Sequence, residues 1–452
     1  MTPSASPADR THRSADDSRA IDDEYVEIAG SGLFDEAFYR TTYRGLVGDA
    51  DPLQHFLTMG TDKGYLPSPN FDPLIYRLTA RDCDGTNPLL HHLRHAQGWH
   101  LWKRRLPSVD ALFPDLLSDF RKHQGGKRTA PANEDDVRMY LAHLDRIDLP
   151  RETSIKAGGT EFKLRVPPPD FFFNRLRIDQ PFAFARLPHG YWDALVLRER
   201  LAADPRLVSL TLDQRRTMAC RIALAAQPHK GPFAEGFFDE IANLIGQHGD
   251  SECFFESIGF KGYPTPDESP FKSRDDEEHR QRQCDLLAQT FRSGKEFIDG
   301  TVWKRLVFSG RIMQLPELCR DRHVVLVGAE WFGDLDKRWR LPRFTHIQIP
   351  PRLSHLIRWD VFDRAHSAIA DAVREKGPRP VVLTQCGGSL AYWLISRMFC
   401  THPECFYIDL GQALNVWFTD NANVPVFSWM ALYRGIVDHL KKGDDFGPGS
   451  KV

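Results

Sequence analysis

Residues 381–411 constrain the fold of this chain more than any other stretch. Val381-Val382-Leu383-Thr384-Gln385 is a β-branched, apolar run, and Cys386-Gly387-Gly388-Ser389 is a turn of small residues. An apolar helix pattern follows, and Cys405-Phe406-Tyr407-Ile408-Asp409-Leu410-Gly411 returns to strand chemistry and ends on a carboxylate. A strand that opens into a helix through glycines, then a second short strand, belongs to an open parallel sheet. In such sheets ligands bind where strand carboxyl ends meet helix amino ends. The helix dipole and its unbonded N–H groups suit a phosphate, so this half of the chain is expected to hold an anion, a nucleotide in particular.

The alternation extends upstream. Phe182-Ala183-Phe184-Ala185, residues 251–260, 323–328 and 345–350 read as strands, and 212–226, 235–247, 276–292 and 360–376 as helices. Alternating strands and helices imply a parallel sheet covered on both faces. The expected class is α/β, a Rossmann-like and mostly parallel sheet, preceded by an N-terminal all-α repeat module.

That module rests on an internal repeat. Phe34-Asp35-x-x-Phe38-Tyr39 recurs as Phe71-Asp72-x-x-Ile75-Tyr76, and Pro52-Leu53-x-His55 recurs as Pro88-Leu89-x-His91, at offsets of 37 and 36 residues. A period of this size marks stacked helical units sharing one apolar seam. His91 and His95 have metal-ligand spacing, but His55 holds the same repeat position as His91, which favours packing or capping. The expected organisation is a disordered lead-in at 1–23, helical repeats at 24–105, a helical connector and linker at 106–169 with an amphipathic helix at 134–148, an α/β domain at 170–422, and a C-terminal helix and tail at 423–452.

With 59 Lys and Arg against 61 Asp and Glu, the net charge of -2 gives no basis for whole-surface binding to nucleic acid. No apolar run is long enough to cross a bilayer and no signal-like stretch opens the chain. The eight cysteines form no C-x-x-C pair, and their scatter reads as reduced thiols in a cytoplasmic protein, possible association with the membrane's inner face being left to partners.

Two resemblances follow from these motifs. The repeat resembles short helical repeats found beside bacterial polysaccharide glycosyltransferases. Residues 177–418 are similar to the GT-D fold glycosyltransferases through three segments in order: residues 181–191, ending Arg186-Leu187-Pro188-His189-Gly190-Tyr191; Val324-Val325-Leu326-Val327-Gly328-Ala329-Glu330; and Tyr407-Ile408-Asp409-Leu410-Gly411-Gln412. The resemblance implies transfer of a sugar from a nucleotide-sugar donor to a glycan or glycoconjugate acceptor in bacterial surface polysaccharide or glycoprotein assembly. The repeats would bind acceptor, a partner protein or another copy. The family's Asp-x-Glu pair, associated with a divalent metal, is replaced here by His189 and Tyr191, and Gln412 stands where the family has His. Neither replacement at the pair is a hard carboxylate donor, so the metal role does not carry over. The alternatives are a donor site neutralised by cations and dipoles, or a non-catalytic scaffold or glycan-binding protein that keeps the fold.

Glycosyl transfer needs stabilisation of the leaving diphosphate, aim of the acceptor hydroxyl, and a base. Arg186, His189 and Gly190 at one strand end, Lys304 and Arg305 after Trp303, Gly328, and Gly387, Gly388 and Ser389 are the candidates to bind the nucleotide sugar. Each cation is equally readable as a surface charge or structural ion pair, and the glycines as a tight turn. Asp409 and Glu330 are the catalytic candidates, Asp409 as base or as partner of a sugar hydroxyl, or else as a turn or capping carboxylate. Cys386 reads as a small buried thiol.

Overall fold

A computed structural model describes residues 15–80, 83, 86–95, 108–114, 151–226, 232–249, 251–259, 277–350, 354–418 and 420–421. The expected helix at 134–148 and the C-terminal helix and tail lie outside these residues. The chain divides into two compact units, residues 1–120 with 198–226, and residues 121–197 with 227–452.

The first unit is helical in its described residues. Asp35 caps the helix Glu36–Thr42 by accepting from the Phe38 amide, and Asp72 caps Pro73–Thr79 by accepting from the Leu74 and Ile75 amides. Both Asp residues thereby satisfy amides that a helix start leaves unbonded. Tyr39 Oη lies 2.9 Å from His55 Nδ1 and Tyr76 Oη lies 2.9 Å from His91 Nδ1. The two histidines at the shared sequence position therefore make the same tyrosine contact. Tyr39, Tyr43, Leu53, Phe56, Phe71, Leu89 and Leu90 pack in one core with Ile28.

Two boundaries differ from expectation. Residues 15–23, expected as disordered lead-in, belong to the helix Ala15–Ala29. Its last turns bring Tyr25 and Ile28 onto the apolar core, and packing of this kind stabilises a helix beyond its own propensity. The segment Arg198–Ala226, expected within the α/β domain, belongs to the first unit. There Arg221 donates to Gly64 O at 2.6 Å and to Asp72 Oδ1 at 2.8 Å, and Lys63 pairs with Asp213. Its apolar face, Met218, Ala219 and Ile222, is buried.

The second unit is α/β, and its sheet is compatible with a Rossmann-like fold. The strands are β1 (Arg151–Ala157), β2 (Thr160–Val166), β3 (Ala183–Leu187), β4 (Phe254–Ile258), β5 (Glu296–Asp299), β6 (Val324–Ala329), β7 (Phe344–Ile349), β8 (Val381–Gln385) and β9 (Phe406–Asp409). They form one nine-stranded sheet in the order β1-β2-β5-β4-β3-β9-β8-β6-β7. Every neighbouring pair is parallel except the β1–β2 hairpin. This hairpin corrects the expected helical connector at 106–169. Gly158 and Gly159 both hold positive φ and turn the chain between strands whose residues alternate buried and exposed. It adds an edge to the sheet through β2 and β5.

One face of the sheet buries Phe172, Phe184, Trp303, Leu326 and Ile408 in a single cluster. The helix Gly388–Thr401 packs against β3, β8 and β9. The chain leaves β6 toward β7 and leaves β8 toward β9 on the other side. The carboxyl ends of β6 and β8 therefore flank a topological switch point, where open α/β sheets bind ligands.

Candidate functional site

Arg186, Asp409, Gly328 and the Gly387-Gly388-Ser389 turn lie along the carboxyl edge of the central strands. Arg186 is the penultimate residue of β3 and Asp409 ends β9, its neighbour. Arg186 Nε donates to Asp409 Oδ2 at 3.3 Å, and Arg186 Nη1 donates to Gly300 O at 3.4 Å. Asp409 Oδ1 accepts the Gly411 amide at 2.9 Å. Gly411 has φ +52, and a Cβ there would lie 2.2 Å from Arg186 Nη2, so glycine lets the guanidinium lie against the backbone. Asp409 is buried, and burial raises its carboxyl above the usual range against the opposing pull of Arg186 and the Gly411 amide. An acid held in this way keeps its proton at higher pH than a solvated Asp, which suits acid–base work.

Next along the edge, Thr384 of β8 pairs in register with Asp409, and Gln385 pairs with Gly328 of β6. With strands about 4.8 Å apart, Arg186 to Gly328 spans roughly 14 Å. At the switch point Gln385 Nε2 donates to Asn415 Oδ1 at 2.5 Å, and Gln385 Oε1 is buried with no partner among the described residues. Gly387, with φ +82, ends this turn and leads the helix Gly388–Thr401 without any side-chain cap. The first-turn amides therefore have no intrahelical acceptor. Gly388 has a packing role as well, because a Cβ there would lie 2.1 Å from Pro188 Cγ. Ser389 is half-buried in the same turn.

Other candidates stand apart from this cluster or are already engaged. His189 and Gly190 open the helix His189–Ala202 and are exposed. Glu330 is exposed on the short turn Glu330–Phe332 after β6. Lys304 lies in the helix Val302–Phe308, and its side chain is outside the described residues. Arg305, expected to meet phosphate, instead has Nη2 2.8 Å from Asp299 Oδ2 and Nε 3.0 Å from Thr301 Oγ1. Burial of both partners makes this a structural pair, since the Asp299 carboxylate needs a cation close by. Burial, reinforced by the Asp409 charge, pushes the Cys386 thiol well above its ordinary range and leaves it a poor nucleophile. None of the eight cysteines forms a disulfide.

The residues here do not fit a divalent metal. His189 is exposed, Tyr191 is buried, and each Asp409 oxygen is engaged. No group of three or more His, Cys, Asp or Glu suited to a metal occurs among the described residues.

The pattern that sequence reasoning missed is Phe297-Ile298-Asp299-Gly300-Thr301. It matches Tyr407-Ile408-Asp409-Leu410-Gly411 in ending a strand on Asp with glycine close behind. Asp299 Oδ1 accepts from both the Thr301 amide and its hydroxyl, at 2.7 and 2.6 Å. Comparison with family models, curated proteins and solved structures finds no match for the chain. No helix among the described residues is long and apolar enough to cross a membrane.

Proposed function

We propose that this chain is a cytoplasmic glycosyltransferase of the GT-D type, taking a nucleotide-sugar donor and transferring its sugar to a glycan or glycoconjugate acceptor. The observation that carries the reading is the Arg186–Asp409 pair at the carboxyl edge, beside an uncapped helix amino end. The donor diphosphate would draw Arg186 from Asp409 and take the first-turn amides of Gly388–Thr401 as further donors. Gln385 Oε1 would accept from a ribose or sugar hydroxyl. Asp409, released from its cation and already raised by burial, would accept the acceptor's hydroxyl proton as that oxygen bonds to the anomeric carbon and the carbon–diphosphate bond breaks. The helical first unit would bring the acceptor, a partner protein or a second copy.

A second reading has its own support. Arg186 with Asp409, and Arg305 with Asp299, already neutralise one another, and the donor set does not fit a metal. Those features suit a scaffold or glycan-binding protein that keeps the fold without catalysis. Purified protein with a panel of nucleotide sugars, read by donor hydrolysis and thermal shift, separates the two. The enzyme reading expects stabilisation by one nucleotide, weakened about 100-fold in Arg186→Met through loss of a charge-assisted phosphate contact, and hydrolysis lost in Asp409→Asn. Stabilisation without turnover favours the scaffold, and no stabilisation by any nucleotide overturns the donor-site assignment and the enzyme reading with it.

A further inference from the structure

A cavity of about 550 Å³ lies at the opposite end of the sheet from the carboxyl edge, where the chain enters β4 and β5. That volume is within the range of small-molecule sites. Its charged lining is mostly committed: Lys295 Nζ lies 3.0 Å from Glu256 Oε2, and Arg165 Nε lies 3.0 Å from Glu296 Oε1. Glu256 also accepts from Tyr392 Oη at 2.6 Å. Glu252 is exposed at the rim and solvated.

Arg165 also lies 5.4 Å from the Phe171 ring centre, and its Nε makes no hydrogen bond despite the ion pair, but Arg175 differs in having no ion pair among the described residues. Its guanidinium carbon sits 4.8 Å from the Phe255 ring centre and 5.3 Å from that of Phe171. Arg175 Nη1 is buried with no hydrogen-bond partner among the described residues. A buried donor without an acceptor costs about 1–3 kcal/mol. Aromatic rings hold a guanidinium by its flat faces and leave its N–H edge for recognition. Arg175 lines the cavity together with Phe171 and Phe255.

We propose that this cavity is a second binding site, for a small organic oxyanion whose carboxylate or phosphate is held by Arg175 and whose apolar part rests in the Phe-lined space. It is independent of the donor-site reading, which concerns the other end of the strands. The test uses the full chain with benzoate and phenyl phosphate as probes, and benzyl alcohol as the uncharged control. The expected result is a saturable rise in Tm of about 2 °C with either anion at tenfold excess over Kd, and none with benzyl alcohol. A preference between the two anions identifies the ligand as carboxylate or phosphate ester. Arg175→Met, which keeps the stem against the rings, should weaken the anion at least tenfold while leaving any nucleotide-sugar response unchanged. On the unaltered protein, benzoate should also protect Arg175 from phenylglyoxal, read by peptide mass. Equal responses to benzoate and benzyl alcohol, or unprotected Arg175, would overturn the proposal whatever the fate of the variant.

Discussion

Gly411 fixes where the Arg186 guanidinium lies. Its positive φ and the 2.2 Å approach that a Cβ would make to Arg186 Nη2 act together. Gly411→Ala should cost about 1–3 kcal/mol through backbone strain and displacement of that side chain, and should weaken donor binding along with stability. Denaturant unfolding and nucleotide thermal shift measure the two effects. His355 carries a separate pH dependence. Burial, and then the neighbouring Arg358 charge, lower its ring to about 4 from an ordinary 6.5. The folded protein therefore resists protonating His355 more than the unfolded chain does. The stability this contributes is present above about 6.5 and is lost as pH falls toward 4, a change of about 3 kcal/mol. His355→Leu should flatten that limb of the stability–pH curve, followed by urea unfolding across the window.

At the scale of elements, one buried carboxylate ties three helices. Glu240, in the helix Phe237–Leu244, accepts from Arg358 Nη2 at 2.6 Å and from Trp393 Nε1 at 2.7 Å, and Arg397 Nη2 lies 3.7 Å away. Arg358 and Trp393 belong to the helices Arg358–Arg374 and Gly388–Thr401. Glu240→Ala leaves a buried guanidinium unpaired and should cost about 3–5 kcal/mol. Replacing Glu240 and Arg358 together by Leu and Met should recover much of that loss, as unfolding of both variants would report. Nothing in the sequence foretold this cluster, because Glu240 stands 118 residues from Arg358 and 153 from Trp393. The sheet's central strands were legible for the opposite reason. Val324–Ala329 and Val381–Gln385 are fully apolar over most of their length, as strands covered on both faces must be. β5 has four residues, too few for any period to stand out, and β1 and β2 alternate with charges that read as polar connector. Arg186 and Asp409 were legible as strand-end residues. Their pairing was not, since it arises from β3 lying beside β9 across 223 residues of chain.

At the scale of the whole molecule, the compact units do not follow the order of the chain, and this determines where it can be cut. The expected boundary at 170 falls after the β1–β2 hairpin. A fragment starting there loses both strands and leaves β5, with Phe297 and Ile298, as an open sheet edge. A fragment starting at 151 keeps the hairpin. Both fragments retain Arg198–Ala226 without the rest of its unit, so Arg221 loses Gly64 O and Asp72, and Met218 and Ile222 lose their covering. The expected order of Tm and solubility is full chain, then 151–452, then 170–452, measured by thermal denaturation and by the soluble fraction on expression. The step between the two fragments reports the hairpin, and the first step reports the stranded segment. The same topology limits deletion of residues 33–100 as a test of scaffolding. Removing them takes away Gly64 and Asp72, the partners of Arg221, and a loss of function would then follow from misfolding as readily as from a lost binding surface. Equal Tm for all three proteins would show that Arg198–Ala226 folds without residues 1–120, and would restore that deletion as a clean separation of binding from catalysis.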